Sequence, residues 1–437
     1  MQKYKVGVIS LGCDKNRVDT EKMLAILSER HLLTNDPLSA DAVIINTCAF
    51  LRSAREEAID EILSVAELKK QGVVKKIIVT GCLPQKFVGD MKDELLEVDA
   101  FLGVSDYHKI NEVVDSVFKG ERVDAVGVPG KECGIKRVLT TGGYAYLKIA
   151  DGCSNHCTYC LIPKIRGKYR SVPIGDLIEE AKLLGKVNEL ILVAQDTAYY
   201  GKDLEEKTSL KELISKLTEL DNIGMVRLLY CYPENITDEL IEEIATNQKV
   251  VKYLDIPFQH ADDTVLKRMN RKGTGEGYLS LINKLKQRIG GIAIRSTFIT
   301  GFPGESEEQF NNLCEFIKKA QLFNAGFFAY SKEEDTPAYR LENHLQEKVK
   351  KSRQKKLYTI QKKVVKQILS SFVGKTIEIT PEGFSDDYLM CFGRAYFNAP
   401  DIDGKVYFFS ADEVVPNEKI KVKITDFRDY DLYGERI

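Results

Sequence analysis

The chain has no apolar run near the ~18–20 residues of a membrane-spanning helix. Proline is scarce, at 12 residues, and glycine moderate, at 31. With no repeat at solenoid periods, these values exclude collagenous, low-complexity and repeat architectures. Charge of either sign is not in surplus. Lys plus Arg number 63 and Asp plus Glu 65, a net −2, so any nucleic-acid contact must be local. The opening residues read as a strand, not as a charged and then apolar leader, so a soluble cytoplasmic protein with no membrane partner is expected.

What is present is globular. The 437 residues, 43% apolar and 29% charged, allow two to four domains with real cores. Residues 1–125 alternate strand and helix, with apolar strand runs at 5–11, 42–46 and 76–80 and helical spacing at 19–30 and 54–70. That alternation predicts a parallel α/β sheet covered by helices. A Gly-, Lys- and Thr-rich linker follows at 127–143. Six further strand runs begin near residues 145, 189, 225, 253, 293 and 325, with helical patterns between most of them. They predict a partial (β/α) TIM-like barrel, whose ligands sit at the C-terminal strand ends. Residues 341–370 carry nine Lys/Arg and two Glu, a net +7, on a basic amphipathic helix. The last 67 residues show short alternating strands and turn signals, and predict a small antiparallel β barrel.

Ten cysteines are the informative count. Without an export signal a disulfide framework is disfavoured, and clustered thiols point to metal binding or catalysis. Cys153, Cys157 and Cys160 form a CxxxCxxC loop directly after a strand run. Zinc sites pair two such groups to close a tetrahedron, and no local fourth ligand is visible here, since His156 adjoins Cys157. Three thiolates on a four-iron cluster leave one iron open. Cys13, Cys48 and Cys82 each follow a strand, and strand ends of a parallel sheet converge on one edge. Three thiols there would hold a second cluster, or would be three small core residues. Cys133, Cys231, Cys314 and Cys391 lack this placement and read as structural.

The loop around Cys153 resembles the signature of the radical S-adenosylmethionine (SAM) superfamily. Two three-cysteine sites in this order, ending in a β barrel, resemble the methylthiotransferase family within it. The resemblance covers essentially the whole chain. It implies an N-terminal methylthiotransferase domain (1–125) with an auxiliary cluster, a radical SAM domain (139–370) and a C-terminal TRAM domain (371–437). It implies two [4Fe-4S] clusters, with SAM as cosubstrate. The segments Leu11-Gly-Cys-Asp-Lys-Asn16, Asn46-Thr-Cys-Ala-Phe50, Gly81-Cys-Leu-Pro-Gln85 and Gln259-His260 resemble the branch that modifies a protein. That branch methylthiolates the β-carbon of an aspartate in protein S twelve of the small ribosomal subunit. The alternative within the family is an adenosine near a tRNA anticodon. Asp14 stands where that branch often carries proline. The resemblance further implies one SAM as methyl donor and a second cleaved to a 5′-deoxyadenosyl radical. An electron donor such as flavodoxin or ferredoxin and a sulfur donor are implied too.

Five residues at or near predicted strand ends are candidates for SAM contacts: Tyr159 and Ile299 and Gly301 against adenine, and Gln195 and Arg295 toward the carboxylate or ribose. Each has a plain alternative as loop, rim or core packing. No acid–base pair is demanded, and no catalytic side chain is named. Residues 371–437 hold eight Lys/Arg against thirteen Asp/Glu, a net −5. An acidic barrel suits a basic protein better than tRNA, with Asp386, Asp387, Asp426, Asp429 and Asp431 as candidate contacts. The basic helix is either a solvated linker or a contact to ribosomal RNA.

Overall fold

The computed structural model describes residues 2–437 except 131–133 and 386–388, so Cys133, Asp386 and Asp387 lie outside the described residues. The first sheet holds β1 (Lys5–Ser10), β2 (Leu32–Thr34), β3 (Ala42–Thr47), β4 (Lys76–Gly81), β5 (Ala100–Leu102) and β6 (Val123–Ala125). All pairs are parallel, in the order β2-β1-β3-β4-β5-β6. The helices between them are α1 (Asp14–Ser28), α2 (Arg52–Lys70), α3 (Cys82–Glu94) and α4 (Ile110–Phe118). Helices cover both faces, which is why β3 is apolar and buried along nearly its whole length. Val43, Ile45, Ile77 and Val79 pack with α2, whereas Ala42, Ile44 and Ile78 pack with α1 and α4.

Helix α1 begins at Asp14, five residues before its apolar spacing announces it. Its polar side is buried as well: Asn16, Asp19, Thr20, Glu21 and Lys22 are all under 5% exposed. The second domain covers that side with ion pairs. Arg137 bridges Glu21 at 3.2 Å and Glu180 at 2.9 Å, and Lys22 reaches Glu180 at 3.3 Å.

The second sheet holds β7 (Tyr144–Lys148), β10 (Val187–Val193), β11 (Ile223–Leu228), β12 (Val250–Asp255), β13 (Ala293–Thr300) and β14 (Asn324–Ala329). It is open, parallel and ordered by sequence, as a partial barrel should be. Between β7 and β10, the short strands β8 (Ala150–Asp151) and β9 (Arg170–Ser171) pair antiparallel and close the loop that carries Cys153, Cys157 and Cys160. The remaining helices are α5 (Ile162–Ile165), α6 (Ile174–Leu183), α7 (Leu210–Thr218), α8 (Asp238–Thr246), α9 (Asp263–Arg268), α10 (Gly275–Arg288), α11 (Glu307–Ala320) and α12 (Glu347–Ser370). Strand alternation sorts the two faces: Leu190 and Leu192 join the helical layer, while Ile191 and Val193 face inward.

The inward face meets the C-terminal domain, where β15 (Thr376–Phe384), β16 (Cys391–Arg394), β17 (Val406–Phe409), β18 (Ile420–Arg428) and β19 (Asp431–Arg436) form a closed barrel. One pair departs from the antiparallel expectation: β17 and β19 run parallel. The chain crosses from β17 to β18, turns back as β19, and closes the barrel beside β17 in the same sense. Phe397, Ala399 and Val422 share one apolar cluster with Ile191, Val193, Val251 and Tyr253.

The basic helix starts at Glu347, not near 341. Its apolar stripe, including Leu357, Val364, Val365 and Leu369, is buried. Two of its cations are buried too: Lys350 donates to the Tyr330 carbonyl at 3.0 Å, and Arg353 pairs with Glu305 and Glu307. Among the described residues no helix is long and apolar enough to cross a membrane.

Candidate active site

Two glycines bring the first three thiols together. Gly12, at φ +103°, lies so close to Cys48 that an added Cβ would sit 2.9 Å from the Cys48 Cβ. Gly81, at φ +98°, would put a Cβ 2.6 Å from the Thr47 carbonyl oxygen. Only glycine accepts both the left-handed backbone and the contact. Each precedes a cysteine that opens a helix: Cys13 is the N-cap of α1, and Cys82 is the first residue of α3. The positive helix ends favour a thiolate there. Asn16 sits between them, with its Oδ1 3.8 Å from the Cys13 sulfur and 3.9 Å from the Cys82 sulfur. Its Nδ2 donates to the carbonyls of Leu11 at 3.2 Å and Thr47 at 3.0 Å, which ties all three cysteine loops together. Burial pushes the Cys82 thiol up to about 12 and raises Cys48, while the Phe50 and Ala49 N–H groups draw Cys48 back down.

The second triad occupies the loop between β8 and α5. The Asn155 N–H lies 3.5 Å from the Cys153 sulfur and the Ile162 N–H 3.5 Å from that of Cys160. The Tyr232 hydroxyl is 3.5 Å from the Cys157 sulfur. Burial raises Cys153 to about 11 and Cys160 further. His156 is exposed, in the left-handed region at φ +50°, and is no part of the triad. Asp196 braces the loop: it accepts from Asn155 at 3.3 Å, Asn235 at 2.8 Å and the Tyr232 N–H at 3.3 Å.

Among the described residues, no three His, Cys, Asp or Glu side chains are gathered for a single metal ion. A zinc centre needs four donors at about 2.0–2.3 Å. Three spaced thiols instead suit a multi-iron cluster that keeps one iron free.

Arg166 joins the two triads. It is 2% exposed and grips Asp151 with two bonds, at 3.0 and 3.1 Å. Its other nitrogen donates to Asn16 Oδ1 at 2.7 Å and to Asp19 at 3.1 Å. Burial alone would raise the Asp151 carboxyl, but Arg166 and Lys148 hold it well below the usual carboxylate range. Gln195 completes this hub, donating to Asp151 at 2.9 Å and leaving its Oε1 buried without a hydrogen-bond partner.

A cavity of about 240 Å³ is walled in part by residues that neighbour cysteines of both triads in sequence, although none of the six cysteines lines it. Phe50, two residues after Cys48, forms one wall together with Leu51, and Tyr159, one residue before Cys160, forms another. Ile299, Thr297 and Tyr330 also line it, and the Tyr330 hydroxyl is buried with no hydrogen-bond partner among the described residues. Glu333 fastens the two domains at this wall, pairing with Arg55 at 2.6 Å and accepting from the Arg52 N–H at 3.0 Å. A second opening of about 350 Å³ adjoins Cys13, with Asp14, Arg17, Tyr230 and Asp401 around it. A third, of about 360 Å³, lies at the far end of the strands against β15 and holds none of the six cysteines.

Of the five candidate SAM contacts, Tyr159 and Ile299 line the cavity and Gln195 stands in the hub. Arg295 and Gly301 do not line that cavity. Arg295 is at the opposite end of β13, paired with Asp255 at 3.0 Å and with Asp403 of the terminal barrel at 3.5 Å. Gly301 packs on Lys350 and donates its N–H to Glu305 at 2.8 Å. The acidic contacts of the barrel are partly committed as well. Asp429 pairs with Lys362 at 2.9 Å, Asp426 lies 3.7 Å from Arg428, and Asp431 accepts from the Lys405 N–H at 2.7 Å. Asn16, Arg166, Asp196 and Glu333 carry no sequence signal of their own. The Asn16 at the end of the Leu11–Asn16 segment was the nearest clue.

Comparisons with known proteins agree with this architecture. Residues 5–103 match the Uncharacterized protein family UPF0004, residues 147–317 the Radical SAM superfamily and residues 373–437 the TRAM domain. The fold resembles the solved radical S-adenosylmethionine methyltransferase TsrM from Kitasatospora setae, with TM-score 0.55, 14% identity and 77% of each chain covered. It also resembles the cobalamin-dependent radical enzyme OxsB, with TM-score 0.53, 12% identity, and 82% of this chain and 58% of that one covered. Sequence relatives are much nearer. The ribosomal protein uS12 methylthiotransferase RimO of Lachnoclostridium phytofermentans is 48% identical over 98% of this chain and 99% of the relative. That of Clostridium novyi is 46% identical over 99% and 98%. With two cysteine triads and such identity over nearly its full length, the chain belongs to the RimO family of radical SAM methylthiotransferases.

Proposed function

We propose that this chain adds a methylthio group to the β-carbon of an aspartate in ribosomal protein uS12, in the cytoplasm. The observation that carries the reading is a cavity whose walls neighbour both triads in sequence: Phe50 two residues after Cys48, and Tyr159 one residue before Cys160. In this reading Cys153, Cys157 and Cys160 hold the SAM-binding cluster, and Cys13, Cys48 and Cys82 hold the auxiliary one. When bound, the clusters and SAM supply the radical, methyl and sulfur chemistry, and the protein supplies binding, orientation and electrostatics.

The chain's own residues then have definite work. Phe50, Leu51, Tyr159 and Ile299 wall the cavity against water. The unpartnered Gln195 Oε1 and Tyr330 Oη offer hydrogen bonds to the polar ends of SAM. The Arg166 hub holds the two thiol sets at one spacing. An electron donor such as flavodoxin or ferredoxin and a sulfur donor complete the proposal. The acidic terminal barrel, net −5, favours a basic protein substrate over tRNA.

The test is anaerobic reconstitution of the full chain, then reaction with SAM, reductant and either small ribosomal subunits or tRNA. A methylthio mass gain on a uS12 aspartate is expected. A gain on a tRNA nucleoside with none on uS12 overturns the reading. In parallel, replacing Cys13, Cys48 and Cys82 by alanine should lower bound iron from about eight to about four atoms per chain.

A further inference from the structure

Helix α12 spans 24 residues, about 36 Å at ~1.5 Å per residue. Its two buried cations serve the barrel, as described above. The others point outward. At roughly 100° per residue, Lys348, Lys351, Lys355, Lys362 and Lys366 fall within an arc of about 60°, over a length of about 27 Å. All five are exposed. Flanking the arc stand Ser352 and Thr359 on one side and Tyr358 on the other.

The stripe is not neutralised by its own protein. No Asp or Glu follows Glu347 anywhere on the helix. Lys362 meets Asp429 at 2.9 Å. Lys348, Lys351, Lys355 and Lys366 have no ion pair or side-chain hydrogen bond among the described residues. Lys351 with Lys355, and Lys362 with Lys366, are like charges one turn apart, an arrangement that weakens an isolated helix. An ordinary solvated helix would interleave acids at these positions.

We propose that this stripe docks on the phosphate backbone of RNA in the small ribosomal subunit. The inference rests on uS12 being the substrate, and it specifies the form in which uS12 is met: inside an RNA-containing particle. Long lysines in a straight row suit regularly spaced phosphates, which position a protein without reading sequence. A protein partner would call for aromatic or arginine anchors at the centre of the patch; the centre carries lysine, and the flanking Tyr358 commits its hydroxyl to the Phe327 carbonyl at 3.3 Å. The stripe also leads to the site. Lys350, two residues from its first lysine, bonds to Tyr330, which lines the cavity. At its other end, Lys362 adjoins the net-acidic barrel. A ribonucleoprotein offers partners to both surfaces: phosphates to the stripe and a basic protein to the barrel.

The experiment measures binding of the full-length protein to purified small subunits across a salt series, for the wild type and for a variant with Lys348, Lys351, Lys355 and Lys366 all changed to Gln. Each phosphate contact contributes about 0.7–0.9 to the slope of log affinity against log salt. The variant should lose about 3 from that slope and bind at least ~10-fold more weakly near physiological salt. Lys351→Gln with Lys355→Gln, half the change in charge, should give about half the loss of slope. An unchanged slope and affinity overturn the proposal. A parallel loss for bulk tRNA supports a phosphate contact, since such contacts read no sequence. Loss of binding to isolated uS12 protein would assign the stripe to a protein contact instead. Failure of the wild type to methylthiolate uS12 in any form would overturn the function while leaving the binding result readable.

Discussion

Arg166 carries more of the site than its anonymity in the sequence suggests. It satisfies Asp151 twice, Asp19 once and Asn16 once, all in a buried setting. Removing one partner of such a network leaves uncompensated charge in the interior, at about 3–5 kcal/mol. Arg166→Leu should therefore lower the stability of the full chain by that amount, read as the denaturant midpoint. Arg166→Lys should recover part of it, since a point charge cannot reproduce a two-pronged grip. The cysteines stood out in the sequence for two reasons: Cys153, Cys157 and Cys160 by their short spacing, and Cys13, Cys48 and Cys82 by following strands. Arg166 did not, because its meaning lies in Asn16, 150 residues earlier. The same holds for Arg295, whose partner Asp403 in the terminal barrel leaves no trace in the strand's own sequence.

Among the elements, the strand-to-helix turns decide whether the first triad exists. Gly12 and Gly81 both hold positive φ against a neighbouring loop, so a methyl group at either position costs strain plus displacement. Gly81→Ala should destabilise the chain by roughly 1–3 kcal/mol, visible in thermal unfolding. The same variant should also loosen the Cys48 loop, shown by faster reaction of Cys48 with a thiol reagent in the cluster-free protein. Substitution at Gly72, where an added Cβ meets nothing within 4 Å, should leave Cys48 reactivity unchanged. The parallel sheets were readable from apolar runs because burial on both faces removes polar alternation. Helix α1 was read too short because its first turns are polar, and burial of polar residues by another domain leaves no periodic trace.

For the molecule as a whole, the terminal barrel is held by charge as well as by apolar packing. Glu189 of β10 meets Arg394 of β16 at 2.8 Å and also pairs with Arg227, which donates to the Tyr396 carbonyl at 2.9 Å. Burial would raise Glu189, but the two guanidiniums hold it below its ordinary 4.5. A carboxyl lowered in the folded state adds stability that is complete above about pH 4.5 and is lost as pH falls through its depressed value. Acid should therefore loosen the barrel, with protease cleavage around residues 371–375 rising below about pH 4.5. Glu189→Gln should show weaker docking at neutral pH and a flatter acid response.

The cavity wall has a further implication. Phe50 belongs to one domain and Tyr159 to another, and the Glu333–Arg55 pair fixes how those domains meet. The separation of the two sulfur centres is thus a property of the seam, written in neither half. A lesion at the Glu333–Arg55 pair, which removes no thiol, would leave both centres intact yet out of step with each other.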